Sequence, residues 1–149
     1  MTRQTKYIFL AVVGAWVAIL AILTVTNLIA VGRETKSVEQ VFKNYIAELI
    51  KGEYDQAYEF CGADFRLQLS KAQFSEQQKQ LQSRFGRLVS INQQGIKISG
   101  TGDPPVWSAQ FRADLNYANG PRRFEFAFRK QAGKWVLYGY EETGAVNAQ

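Results

Sequence analysis

The sequence predicts an α+β protein: one apolar transmembrane helix, then three helices packed on a curved antiparallel sheet of three to four strands. Three observations predict it. Residues 7–31 carry no charged side chain. Apolar residues then recur with the 3.6-residue period of helices as far as Gly86, and with the two-residue period of strands beyond it. Helices that are segregated from strands along the chain are typical of α+β domains.

The uncharged run at residues 7–31 is long enough to cross a membrane. At about 1.5 Å per helical residue it extends roughly 37 Å, against a hydrocarbon core of about 30 Å. A cleaved secretory signal is the alternative, because residues 30–32 have a small-x-small pattern. The apolar part of a signal is only about 7–15 residues long, which favours an uncleaved anchor. We therefore predict an N-terminal segment at 1–6, a membrane helix at 7–31 and a linker at 32–36.

Basic residues on both sides of the run bear on its orientation. Arg3 and Lys6 precede it, and Arg33 and Lys36 follow it, so the balance is nearly even. The free amino terminus and the short leading segment favour a cytoplasmic N-terminus. We expect the domain at residues 37–142 to lie outside the cytoplasm, on the periplasmic side of a bacterial cell membrane.

Small residues in the run share one helical face, on which another helix can approach closely. They are Ala11, Gly14, Ala15, Ala18 and Ala21. Ala is also common in membrane helices, so the pattern has an ordinary interpretation as well. Trp16 lies inside the run rather than at its ends, where Trp is usual. We expect this face and Trp16 to contact other integral membrane proteins, and the rest of the helix to contact lipid.

Three helices are predicted in the domain. Ser37 has the spacing of a capping box for the first, and Gly52 ends it. A short second helix occupies residues 54–61 and stops at Gly62. Ser70 begins the third with a second capping box.

Strands are predicted after the third helix. Residues 89–99 form one bent strand or a strand pair, with a bulge or turn at Gly95. Residues 107–117 alternate strictly between apolar and polar, as a half-buried antiparallel strand does. Asn119-Gly120 provides the hairpin turn to the returning strand.

The final strand follows a turn at Ala132-Gly133. Residues 134–141 are apolar on both faces, which is typical of a central strand or of one that closes against a partner. Residues 143–149 are predicted to be a loose tail.

Composition removes most enzyme classes. The sequence has no His and a single Cys, so His-containing zinc sites, Ser-His triads and Cys-His pairs are excluded. A lone Cys61 forms no intramolecular disulfide and is most often a small buried hydrophobe. The net charge of +5 gives no basis for nucleic-acid binding. We therefore predict no catalytic residue, no metal site and no cofactor.

Residues 49–58 resemble the opening of nuclear-transport-factor-2-like domains, with a helix, a Gly-Glu-Tyr turn and an Ala-Tyr pair. Phe85-Gly86-Arg87-Leu88 and Gly133-Lys134-Trp135-Val136 fit the same family. The resemblance covers residues 37–142. It implies the cystatin-like cone fold, in which a curved sheet wraps helices and leaves a cavity.

That family includes enzymes such as ketosteroid isomerase and scytalone dehydratase, which use acidic, His or Tyr groups inside the cone. This sequence meets that need poorly, because Asp114 and Glu125 lie on the polar faces of their strands. The aromatic residues that we expect to line a cavity, if one is open, are Tyr45, Tyr54, Tyr58, Phe111 and Tyr117. Aromatic residues at such spacing more often form a core.

Basic residues bracket one strand of the sheet: Arg122, Arg123, Arg129 and Lys130. The ordinary interpretation is a solvated face paired across strands with Glu125 and Asp114. The alternative is a docking patch for an acidic partner or for lipid headgroups.

The function predicted from these observations is a non-enzymatic accessory or assembly subunit of a larger membrane complex. The alternatives are a module that binds a small apolar ligand in the cone, and an enzyme of the isomerase or dehydratase type.

Overall fold

The computed structural model describes the backbone of residues 3–146 and the side chains of residues 17–146. This part of the chain is α+β, as predicted. Its helices are α1 (Arg3–Lys51), α2 (Tyr54–Tyr58), α3 (Ala63–Gln68) and α4 (Lys71–Phe85), and its strands are β1 (Leu88–Thr101), β2 (Val106–Tyr117), β3 (Gly120–Gln131) and β4 (Lys134–Ala145). The chain divides between Thr35 and Lys36 into two compact units.

Helix α1 continues through residues 32–36, where the sequence predicted a linker, and through Ser37, where it predicted a cap. A cap residue needs non-helical backbone angles, so Ser37 does not cap this helix. The residues after Gly32 are compatible with a helix, and a single glycine costs only about 1 kcal/mol. The Thr35 hydroxyl donates to the Val31 carbonyl at 2.7 Å, a bond that fits the helix.

In the first unit, α1 exposes apolar side chains on all sides. Val17 and Leu28 are 60% and 72% exposed. Thr24 and Thr26 donate their hydroxyls to carbonyls of their own helix. Among the described residues, this helix is the one that is long and apolar enough to cross a membrane. Its apolar 18-residue stretch has a mean hydropathy of 1.6, and none of that stretch is buried.

Only part of the predicted helix-packing face can be placed. Ala18 and Ala21 are exposed. The other members of the predicted set lie outside the residues whose side chains are described: Ala11, Gly14, Ala15 and Trp16.

The strands form one antiparallel sheet in the order β1-β2-β3-β4. Strand β1 is a single strand, and its register shifts between Gln93 and Gly95, at the bulge predicted from the sequence. In the β2–β3 hairpin Phe111 pairs with Phe126, and the side chains of this row face the helices. The turn at Ala132-Gly133 has positive φ at both residues, as a two-residue hairpin turn requires.

Strand β4 lies at the edge of the sheet and not at its centre. Its edge is partly closed by the segment before α3. The Gly62 N–H donates to the Leu137 carbonyl and the Leu137 N–H donates to the Phe60 carbonyl, both at 2.8 Å. The strand also runs on to Ala145, into the region predicted to be a loose tail. The second apolar face of β4 is not covered by another layer of the described structure, because Tyr138 on that face is exposed.

Aromatic rings fill the space between the helices and the sheet in the second unit. Phe42 of α1 stacks on Phe111 with ring centroids 4.3 Å apart, and contacts Phe126 and Phe128 at 5.2 and 6.0 Å. All four are buried. Burying a phenylalanine contributes about 1.5–3 kcal/mol, so this cluster is a main source of stability.

Candidate functional site

The structure packs most of the predicted cavity residues into the core. Tyr45, Tyr58, Phe111 and Tyr117 are buried. The Tyr58 hydroxyl donates to the Leu69 carbonyl at 2.7 Å. Because these rings meet other rings, the space between α1 and the sheet holds side chains and not an open cavity.

Tyr54, the fifth predicted cavity residue, lies elsewhere. It lines an open hollow of about 650 Å³ between α2 and α4. Its hydroxyl donates to Gln82 Oε1 at 2.7 Å.

A groove of about 300 Å³ lies between α4 and the strands β3 and β4, and we call it the α4 groove. Helix α4 provides one wall and the sheet provides the floor. The lining residues are Gln77, Gln80, Leu81, Arg84, Phe124, Tyr140, Glu141 and Glu142.

Strand register explains which side chains form the floor. Phe124 pairs with Glu142 and Phe126 pairs with Tyr140, so these four side chains share the face of the sheet that meets the helices. Glu141 pairs instead with Glu125, whose carboxylate bonds Arg112 on the opposite face. Glu141 therefore reaches only the border of the groove.

Tyr140 is held in place by α4. Its hydroxyl donates to Gln77 Oε1 at 3.2 Å and accepts from Gln78 Nε2 at 2.9 Å. Burial raises the pKa of Tyr140 to about 12, although the hydrogen bond from Gln78 opposes the rise. The two hydrogen bonds to α4 fix the position of this phenol.

Tyr45 lies one layer of rings below the groove. Its ring contacts Phe126 at 6.1 Å, and Phe126 contacts Tyr140 at 6.2 Å. Among the described residues its buried hydroxyl has no hydrogen-bond partner. Such a group costs about 1–3 kcal/mol. Burial, and next the neighbouring Tyr140, raise the pKa of Tyr45 well above its ordinary value.

Two guanidinium groups lie beside the groove, and both stack on Phe85. Arg84 is 4.8 Å and Arg122 is 4.3 Å from the centre of that ring. Arg122 also pairs with Glu142 at 3.6 Å. Within the described part of the chain, Arg84 has no carboxylate within ion-pair distance. With Arg122 beside it, the groove therefore has two positive charges, Arg84 and Arg122, and two negative charges, Glu141 and Glu142.

A second hollow, of about 280 Å³, lies on the opposite face of the sheet over Ala127 and Gly139. It is a depression in one sheet, and the described residues give it no second wall. We therefore consider the α4 groove the stronger candidate.

The predicted basic patch is divided between the two faces of the sheet, because successive residues of a strand alternate. Arg122 and Lys130 are on the helix side, and Arg123 and Arg129 are on the other side. Arg129 stacks on the Tyr138 ring at 4.3 Å. The four residues do not form one continuous surface.

The face with Arg123 matches the ordinary interpretation, in which charges pair across strands. Arg123 bonds Asp114 at 2.7 Å, and Gln94 donates to the same carboxylate at 3.0 Å. The bond from Arg123 lowers the pKa of Asp114, although burial opposes the change. Arg112 bonds Glu125 at 2.7 Å in the next row.

The sequence did not identify the groove residues. Helix α4 is rich in glutamine, which is typical of a solvated face, yet Gln78 is 7% exposed and bonds Tyr140. Strict alternation along the last strand would place Tyr140 on the face opposite Leu137, and the register shift between Ala127 and Phe128 brings it to the helix side instead.

No protein-family model matches this chain, and no curated protein matches it. A solved structure does match. Aln2 from a Streptomyces species, determined at 1.8 Å, has a TM-score of 0.54 at 11% sequence identity, over 74% of this chain and 89% of that chain. At this identity the likeness concerns the fold alone.

Proposed function

We propose that this protein is a single-pass membrane protein whose domain binds a small ligand in the α4 groove and catalyses no reaction on it. The observation that carries the proposal is the groove itself. Its volume of about 300 Å³ is at the lower end of the range for ligand sites, about 300–1,000 Å³. An apolar floor with a few polar groups around it is typical of such sites. A cone fold is compatible with a binding module.

The exposed apolar helix supports membrane anchoring. Leu20, Leu23 and Ile29 are each about half exposed. In water this surface would be unfavourable, whereas a helix satisfies its backbone hydrogen bonds internally and is stable in lipid. We propose that the N-terminus, with Arg3 and Lys6 before the apolar run, lies in the cytoplasm and that the domain lies outside it.

The chemistry of the groove supports binding without catalysis. Glu142 is paired with Arg122. Tyr140 is protonated at neutral pH, as tyrosines ordinarily are, and burial raises its pKa further, to about 12. Among the described residues, the carboxyl groups with a clearly shifted pKa are Asp114 and Glu59, and both are lowered. A carboxylate that acts as the general base of an isomerase needs a raised pKa instead.

Extraction tests the anchor. Membranes from cells that express the full chain are washed with alkaline carbonate, and we expect the protein to remain in the pellet. Introducing charges through Leu20→Lys and Leu23→Lys should release it, because each charge near a bilayer centre costs about 2.5–3.5 kcal/mol. Release of the unaltered chain by carbonate would contradict anchoring.

Filling the groove tests ligand binding. A fragment library is screened by NMR against the full chain in detergent micelles. We expect the hits to shift resonances of Leu81 and Phe124. Leu81→Trp, which fills the groove, should abolish the binding.

Leu67→Trp is the matched control, because Leu67 is 87% exposed on α3 and outside the groove. Far-ultraviolet circular dichroism checks that both variants fold. Hits that bind the Leu81→Trp variant as tightly as the unaltered chain would contradict the proposal.

A second candidate function is an accessory subunit of a membrane complex. Ala18 and Ala21, two small residues of the predicted helix-packing face, are exposed and not covered by the described part of the chain. Small residues at such a face permit close helix contact. Size analysis after mild solubilisation tests this function. A larger species that is lost in the Ala18→Ile, Ala21→Ile variant supports it, and a free monomer contradicts it.

A further inference from the structure

We infer that the tip of the β1–β2 hairpin rests in the headgroup region of the membrane that holds α1, and that Pro105 and Val106 contact lipid there. The connection between the two strands comprises residues 102–105. The inference rests on the proposed membrane anchoring and adds a lipid contact for the domain. Three features support it: the apolar tip, the end of the sheet at which it lies, and the short chain to the apolar run.

The tip of this hairpin presents apolar side chains to solvent. Pro104 and Pro105 are exposed, and Val106 is 55% exposed. Trp107 is half-buried, and its ring lies over Gly100, where a Cβ would be only 3.1 Å from it. Four consecutive apolar residues form a continuous patch, unlike the single apolar side chains that are normal on a protein surface. A partly exposed Trp beside apolar residues is typical of a membrane–water interface.

Aromatic contacts show in which direction α1 crosses the sheet. The Tyr45 ring contacts Phe126 at 6.1 Å. The Phe42 ring, one turn earlier in α1, contacts Phe126 at 5.2 Å and Phe128 at 6.0 Å. Moving back along α1 therefore means moving forward along β3. That strand ends at Gln131, three residues and about 10 Å after Phe128.

Lys36, the first residue of the second unit, therefore lies at the end of the sheet that carries the β1–β2 connection. It precedes Phe42 by six helical residues, or about 9 Å. The end of β3 lies beside the start of β2, because Ser108 pairs with Arg129. The β2–β3 turn at residues 118–119 lies at the opposite end, roughly 40 Å away along β2.

The chain between the apolar run and this end of the domain is short. Residues 7–31 carry no charged side chain, and Lys36 follows Val31 by five residues. Five residues extend at most about 18 Å, so in an anchored chain Lys36 stays that close to the lipid for any arrangement of the two units. The end of the domain that carries Lys36 and the hairpin tip is therefore the end next to the membrane.

Charge does not decide this contact. At the two hairpin connections of this end, the exposed charged residues are Asp103 and Lys134, and their charges cancel. The attraction therefore comes from the apolar side chains, which interfacial segments bury to a depth of about 5–10 Å. We expect the contact on zwitterionic lipid as well as on anionic lipid.

The test places a fluorescent label at the tip of the hairpin. Val106→Cys is labelled with nitrobenzoxadiazole in the full chain and reconstituted into phosphatidylcholine vesicles. Cys61 is 3% exposed and should take up little label, and the unaltered chain measures that background. We expect the emission to shift to shorter wavelength than in water. A lipid nitroxide near the headgroups should quench it more strongly than a nitroxide at the bilayer centre.

Two further label positions make the test specific. Asn119→Cys is the matched control, because Asn119 is exposed in the β2–β3 turn at the far end of the sheet. Its label should be quenched several-fold less than the label at Val106. Leu20→Cys reports on the anchor, because Leu20 is exposed in the apolar part of α1. The nitroxide at the bilayer centre should quench that label most strongly.

Pro105→Asp in the labelled Val106→Cys chain tests whether apolar side chains cause the contact. A second carboxylate near Asp103 loses hydration when it enters the apolar part of the interface, so quenching should fall toward that of the Asn119 label. Circular dichroism checks that the variant folds. Unchanged quenching would show that the tip lies near the bilayer without an apolar contact, and would overturn the inference.

A label at Val106 that is quenched no more than the one at Asn119, while the label at Leu20 is quenched, would overturn the lipid contact and leave the anchor intact. Quenching at Val106 only in vesicles that contain anionic lipid would also overturn it, because the attraction would then be ionic. If the label at Leu20 is not quenched, the proposed anchoring fails, and the lipid contact fails with it.

Discussion

Gly86 joins α4 to the sheet with a backbone conformation that other residues avoid. Its φ is 82° and its ψ is −177°. A Cβ placed there would lie 2.8 Å from the Cβ of Ala118, in the β2–β3 turn. The Asn119 N–H donates to the Phe85 carbonyl at 2.9 Å, so a backbone hydrogen bond links this turn to the end of α4.

We predict that Gly86→Ala lowers the free energy of unfolding by about 2–3 kcal/mol, because strain and steric contact add. Gly95→Ala is the control, since no described atom lies within 4 Å of the Cβ position there. It should change stability by less than about 0.5 kcal/mol. Denaturant unfolding of the full chain in detergent, followed by Trp fluorescence, measures both. Equal stability of the two variants would show that the link at Gly86 is not strained.

The sequence was informative about residues wherever the local backbone decides the outcome. Gly52 follows the end of α1 with a φ of 80°, and the bulge occurs at Gly95, as predicted. Gln78 could not be identified in this way, because its burial and its hydrogen bond to Tyr140 depend on how α4 packs against the sheet.

At the scale of elements, the capping-box pattern occurs twice in the sequence, and only one of the two copies caps a helix. Ser70 caps α4 through a complete capping box, in which it accepts from the Gln73 N–H at 3.3 Å. Ser37 has the same spacing to Gln40 and lies inside α1. The difference comes from the preceding residues. Leu69 is extended, with φ of −139° and ψ of 112°, whereas the residues before Ser37 continue the helix.

We predict that Ser70→Ala lowers the free energy of unfolding by about 1 kcal/mol, because the first turn of α4 loses its cap. Ser37→Ala is the internal control and should be neutral or slightly stabilising, because Ala has the higher helix propensity. Thermal unfolding of both variants under one condition makes the comparison. A larger loss for Ser37→Ala than for Ser70→Ala would mean that α1 begins anew at Ser37.

Helix α3 and the edge position of β4 were both missed, for related reasons. Gly62 was interpreted as a stop signal, yet it is also the N-cap residue of α3. Its N–H bonds Leu137 on the edge of β4. A pairing between segments so far apart in the chain has no local pattern. Of the two alternatives for β4, a central strand or one that closes against a partner, the first is wrong because β4 lies at the edge of the sheet.

At the scale of the whole molecule, the sequence predicted the fold class and the core but not the site. The two-residue period placed Phe111, Phe124 and Phe126 on one face, and they are buried there. The same pattern could not show whether rings fill the cone or leave it open. That depends on how the side chains from α1 fit between the strands, and Phe42 and Tyr45 fit closely.

The buried phenols make the stability of the domain sensitive to alkali. Burial raises the pKa of Tyr140 to about 12, and it also raises the pKa of Tyr45 and Tyr117. An unfolded tyrosine loses its proton near pH ~10. Between these values the unfolded chain releases protons that the folded chain keeps. Stability is therefore complete below pH ~10 and falls as the pH rises toward about 12.

We predict that Tyr140→Phe reduces this alkaline loss. Between pH ~9 and pH ~12 the unaltered chain should lose about 2 kcal/mol more stability than the variant, because the variant has one fewer proton to release on unfolding. Denaturant unfolding of both proteins at both pH values gives the loss of stability of each, and tyrosinate absorbance is recorded in parallel. An equal alkaline loss in both proteins would mean that Tyr140 ionises as readily in the folded domain as in the unfolded chain, and that α4 does not seal the floor of the groove from water.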